Sequence, residues 1–88
     1  MDALHIAVSH DGLYAIQGQL LPGTTTSDIA EALHLLFSTA PDTSIDPEDR
    51  ILVIDADAQA SHAAVVRVME AARLAGIERV HFATQTGP

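Results

Sequence analysis

The chain contains no cysteine and no lysine. The first absence excludes disulfide staples and thiolate metal centres, and leaves the redox compartment open. The second leaves 4 arginines as the only permanent cations against 12 acids, for a formal net charge of -8. Phosphate binding requires a basic patch, so nucleic acid is excluded as a partner, and so is docking on an anionic membrane surface. The ordinary account of such acidity is solubility and mutual repulsion; the functional alternative is attraction to a basic partner segment. Aromatic residues are also scarce, at 3%, so the core must be built from Ile, Leu, Val, Ala, Met and two Phe. No run approaches the roughly 20 apolar residues of a membrane span, and no signal-peptide pattern follows Met1 and Asp2.

What is present suffices for one small domain, taken as residues 1–88. A chain this short buries only about 60–65% of its unfolded surface, so the core is modest. Leu4 to Val8 alternates as a strand does, Asp11-Gly12 marks a turn, and Leu13 to Gln17 reads as the returning strand. Gly18 marks a bend, and Gln19-Leu20-Leu21 offers a short extra piece before Pro22-Gly23 breaks it. The run from Thr24 to Ser27 supplies N-cap hydroxyls for a first helix, and Thr25 with Asp28 has the spacing of a capping box. Ile29, Leu33, Leu36 and Phe37 form its expected apolar stripe. Ser38 to Asp49, with two prolines and four acids, reads as an exposed loop.

The second half is clearer. Ile51-Leu52-Val53-Ile54 is a strand apolar on both faces. Ser61 is the expected N-cap of a second helix, with Val65, Val68, Met69 and Ala72 at helical spacing. Gly76 can take the left-handed conformation that stops a helix, and Ile77 can pack back on it. A strand from Arg79 to Thr84 follows, and Thr84 to Pro88 reads as a frayed end. Two strands joined by such a helix should lie parallel, with a right-handed crossover. The order is β-β-α-β-α-β with room for one more short strand. The fold class expected is α+β: a small mixed sheet with two helices packed on one face. His5, His81 and Tyr14 are candidates for the other face.

Few residues invite a chemical reading. Asp55-Ala56-Asp57, two carboxylates at a strand end, resembles the pair used by magnesium-dependent phosphatases, and ligands do sit at that end of open α/β sheets. Phosphoryl transfer, however, needs positive charge on the moving group, and no lysine is available to supply it. These Asp residues are therefore expected to end the strand and prepare the helix, with a structural or interface role. The five histidines lack metal-ligand spacing. Ser61 and His62, adjacent on a helix, point in different directions and cannot form a nucleophile–base pair. No catalytic residue, cofactor or metal is expected, and the alternative of a metal-dependent phosphatase-like fragment rests on the two Asp alone. A free-standing cytosolic interaction module is the other alternative.

Taken in order, strand-Ala-Asp, a polar turn, Val65-Val66-x-Val68-Met69-x-x-Ala72, Ala75-Gly76-Ile77-x-x-Val80 and a strand ending in Thr84 resemble the periplasmic domain of the ExbD/TolR family. The earlier strands, Asp11-Gly12, Gly18 and the Thr-rich helix start fit the same pattern. The resemblance implies a non-catalytic domain on the periplasmic face of the inner membrane, in an accessory subunit of a motor driven by the proton gradient. It implies homodimers, contact with a TonB- or TolA-type protein, an ExbB- or TolQ-type membrane subunit, and peptidoglycan as a further ligand of TolR-like domains. The family's single membrane helix, with its proton-carrying aspartate, has no counterpart here, so Met1 is expected to be a start placed at the domain edge. An aspartate recurs in the family at the Asp57 position. The expected partner or dimer interface is an edge of the sheet, with Leu4, Ile6, Val8, Tyr14 and Ile16 from the first hairpin and Val80, Phe82 and Thr84 from the last strand.

Overall fold

The computed structural model describes residues 3–38 and 50–85. The acidic stretch expected as a loop lies outside the described residues, apart from Ser38. The elements run β1 (Ala3–Val8), β2 (Tyr14–Ile16), β3 (Gln19–Leu20), α1 (Thr26–Ser38), β4 (Ile51–Asp57), α2 (His62–Leu74) and β5 (Arg79–Gln85). The strands form one mixed sheet in the order β3-β2-β1-β4-β5. β1 pairs antiparallel with β2 and parallel with β4, and β4 pairs parallel with β5. The fold is thus the expected α+β arrangement, with the short extra strand present as β3. β5 runs through Gln85, which sits opposite Asp57, so Thr84 and Gln85 belong to the strand and not to the frayed end expected from composition, the rest of which lies outside the described residues.

Each local signal has a physical counterpart. The amide of Asp28 donates to Thr25 Oγ1 at 3.1 Å, and the Thr25 amide and hydroxyl both donate to Asp28 Oδ2, which closes the capping box of α1. The Ala64 amide donates to Ser61 Oγ at 3.1 Å and caps α2. At its other end the Gly76 amide donates to the Arg73 carbonyl and the Ile77 amide to the Ala72 carbonyl. This paired closure needs a left-handed residue, and Gly76 supplies it at φ 80. A Cβ at Gly76 would touch nothing within 4 Å, so the cost of Gly76→Ala is conformational alone. We expect it to destabilise the fold by about 1 kcal/mol, with Gly76→Asn costing less; urea denaturation of both variants checks this.

The turn between β2 and β3 is tighter than the sequence suggested. Gln17 and Gly18 both have positive φ, 52 and 83, which makes a two-residue hairpin. Asparagine is the usual residue at the first position. Here Gln17 is held there by β1: its amide donates to the His5 carbonyl at 3.1 Å, and its Oε1 accepts from the His5 amide at 3.2 Å.

The core lies between the sheet and the two helices. Ile6 and Val8 of β1, Tyr14 and Ile16 of β2, and Leu52 and Ile54 of β4 face the helices and are buried, with Ile29, Leu33 and Phe37 of α1. Leu36, assigned to the α1 stripe, is instead 38% exposed, because Ile29, Leu33 and Phe37 already fill a row at four-residue spacing. On α2 the buried residues are Ala64, Val68, Ala71 and Ala72. Val65 flanks this stripe half-buried, and Met69 is exposed. Small side chains let α2 pack closely against α1, so the buried stripe is centred on alanines and the bulkier residues fall at its margin. The Arg50 guanidinium stacks 5.1 Å from the centre of the Phe37 ring and ties the end of α1 to the start of β4.

Candidate functional site

Because side chains alternate along a strand, every residue between the buried positions points to the face away from the helices. That face is built in register. Ala3, Ile51 and Arg79 form one row across β1, β4 and β5; His5, Val53 and His81 form the next. Leu20, Ala15, Ala7, Asp55 and Ala83 form a third row across all five strands. His5 and His81 lie on the open face as expected. Tyr14 does not, and that expectation is corrected: it shares the parity of Ile16, and its hydroxyl donates to the Ala64 carbonyl at 2.8 Å inside the core.

The two aspartates of β4 point to the open face. Asp55 Oδ2 lies 3.2 Å from His5 Nδ1 on the neighbouring strand, a half-exposed pair of little energetic weight. Asp57 Oδ1 accepts from the Gln59 amide at 2.8 Å, and the Asp57 carbonyl accepts from the Ala60 amide at 2.9 Å. Asp57 therefore shapes the turn that delivers the chain to the Ser61 cap. Above β1, the Ser9 hydroxyl donates to the Asp11 carboxylate and, with the Asp11 amide, holds that carboxyl below its ordinary pKa. Among the described residues no three His, Asp or Glu side chains are arranged to hold a metal ion.

The eight residues expected at an interface fall into two groups. Leu4, Ile6 and Val8 belong to β1, the middle strand, whose two sides are both taken by β2 and β4. Tyr14 and Ile16 belong to β2, whose outer side is covered by β3. The expectation that the first hairpin offers a pairing edge is thereby corrected, because its side chains are core and the short β3 occupies the outer position. Val80, Phe82 and Thr84 belong to β5, which ends the sheet. Phe82 is 54% exposed although it shares the parity of buried Ile54, because α2 packs over β4 and leaves the last strand largely uncovered.

The two edges of the sheet differ sharply. β3 has only 2 residues, a length that limits pairing. β5 has 7 residues, Arg79 to Gln85, with no proline and no charge after the first position. No described residue pairs with its outer side. Sequence reasoning missed the depression on the open face where Ala7 and Ala15 lie between Leu13, Leu20 and the two aspartates, a space of about 310 Å³. Its signal was available in the small residues at alternate strand positions, but only the register shows that they adjoin.

Among the described residues no helix is long and apolar enough to cross a membrane. A search of curated proteins finds no significant match. A family model described as biopolymer transport protein ExbD/TolR matches residues 1–87, nearly the whole chain. On this match the chain belongs to the ExbD/TolR family of biopolymer transport proteins.

Proposed function

We propose that this chain is the periplasmic docking domain of an accessory subunit in a motor driven by the proton gradient, and that β5 is where it takes up another strand. Family membership implies an accessory role in biopolymer transport, with a periplasmic domain on an inner-membrane protein and TonB- or TolA-type and ExbB- or TolQ-type proteins as the general class of partners. The observation that carries the finer reading is the long outer side of β5, beside a half-exposed Phe82. An unprotected edge strand supplies main-chain donors and acceptors to an incoming chain, and a neighbouring apolar side chain selects its register. The same edge serves a second copy in a symmetric dimer or a partner segment in β-augmentation. No reactive side chain enters this account.

The test is Phe82→Lys, followed by sedimentation of the purified domain and by binding to the soluble region of a TonB- or TolA-type partner. A charge at an edge strand discourages pairing. Lysine also makes this acidic chain less negative, so weaker association cannot be ascribed to added repulsion between copies. We expect association to weaken by about tenfold or more, with the circular dichroism and melting of the monomer little changed, since Phe82 is half-exposed already. Unchanged dimerisation and unchanged partner binding would refute the proposal.

A further inference from the structure

On the open face, Ala7 of β1 and Ala15 of β2 are adjacent in register and form a floor of two methyl groups. One wall is apolar: Leu20 stands opposite Ala15 on β3 and is 66% exposed, and Leu13, two residues before Ala15, is 41% exposed. The other wall is anionic: Asp55 stands opposite Ala7 on β4, and Asp57 follows on the same face. Ser9 closes the end. The groove thus has grease on one side and carboxylates on the other, with a width of about three strand spacings, roughly 14 Å.

The charge around it is one-sided. Asp55 and Asp57 lie at the end where β1 and β4 finish, with Asp11 in the turn above. Arg50 and Arg79 lie where β4 and β5 begin, and Arg73 lies in the last turn of α2, which leads to that same end. Two histidines border the groove: His5 lies against Asp55, and His10 lies beside Asp11 in the turn above. A chain of net charge -8 carries its field into this groove with no arginine lining it.

We infer that this groove receives the side chain of a lysine or arginine from an extended segment of another protein, the aliphatic stem lying along Leu13, Leu20 and the two alanines and the cation reaching Asp55 and Asp57. The match is one of shape and charge together. Lysine and arginine carry three or four methylenes that bury well on apolar surface while the head stays with its counter-charge. A purely apolar side chain leaves the carboxylate wall unanswered, and an acidic one meets repulsion. The site is on the opposite face from Phe82, and it does not depend on pairing at β5.

The experiment is a titration of the isotope-labelled domain followed by amide shifts, with three capped tripeptides: Val-Lys-Val, Val-Glu-Val and Val-norleucine-Val. The lysine peptide is expected to move the amides of Ala7, Ser9, Leu13, Ala15, Asp55 and Asp57, and to bind more weakly as salt is raised. The Asp55→Asn, Asp57→Asn double variant should weaken it about fivefold to tenfold, the sum expected of two part-exposed pairs. Because Asp57 also shapes a turn, two further variants leave the aspartates intact. Ala15→Arg places a guanidinium in the groove and should abolish the shifts, and Leu20→Ser should weaken them by removing the apolar wall. Equal binding of the norleucine or glutamate peptide, shifts confined to β5, or no shifts at the groove at millimolar peptide would each overturn the inference.

Discussion

Ile6→Ala is expected to remove about 3–4 kcal/mol of folding stability, toward the upper part of the range for truncating a buried isoleucine. Ile6 is fully buried in the middle strand, paired in register with Ile16 on one side and Ile54 on the other. It therefore sits at the centre of the sheet face on which both helices rest. The neighbouring strands are hydrogen-bonded on both sides and cannot close around the lost atoms. For a domain of this size the whole stability is about 5–10 kcal/mol, so the variant should lose a large fraction of it and populate unfolded chain under mild denaturant. Urea denaturation followed by circular dichroism measures the effect. A loss under 1 kcal/mol would mean that β1 is not central.

Tyr14→Ala is expected to cost about 3–5 kcal/mol, and Tyr14→Phe about 1–2 kcal/mol. Tyr14 is the largest of the fully buried side chains among the described residues. Its ring fills the space between β2 and α2, and its hydroxyl donates to the Ala64 carbonyl in the first turn of α2, linking residues 50 apart in the chain. The phenylalanine variant keeps the ring and removes only the donor, so the difference between the two separates packing from the hydrogen bond. The pair of variants also discriminates between roles. A tyrosine that served a partner surface would leave the isolated domain equally stable as phenylalanine, whereas a tyrosine stapling sheet to helix would not. Thermal melting of the three proteins side by side decides between them.

Most of the elements were legible because their signals are local. Thr25 with Asp28, Ser61, and Gly76 with Ile77 each act within one turn of chain, and the structure places each in the cap it implied. The run Ile51 to Ile54 reads as a covered strand and is one. The helical stripes were less legible. Alanine has helix propensity and little hydrophobic weight, so Ala64 and Ala71 did not stand out, although both are buried. The hairpin at Gln17-Gly18 was obscured because glutamine is an unusual residue at positive φ, and its support comes from His5, twelve residues away.

The candidate surfaces were legible only in outline. The last strand was expected at an edge of the sheet and lies there. The first hairpin has equally strand-like residues, yet Leu4, Ile6 and Val8 lie in the middle of the sheet. The groove of Ala7, Ala15, Leu13, Leu20, Asp55 and Asp57 draws on four strands and a turn, and nothing in the sequence sets those strands side by side.

The amino-acid sequence by itself determined the elements, their caps and stops, the acidic surface and the α+β class, because hydrogen-bond capping, apolar periodicity and charge are properties of neighbouring residues. The tertiary structure alone decided which strand is central, which face Tyr14 takes, and that the edge beyond the first hairpin belongs to the short β3. The reason is that a strand has two equivalent sides and two equivalent faces until it is paired. Only the register of β1 against both β2 and β4 breaks that symmetry.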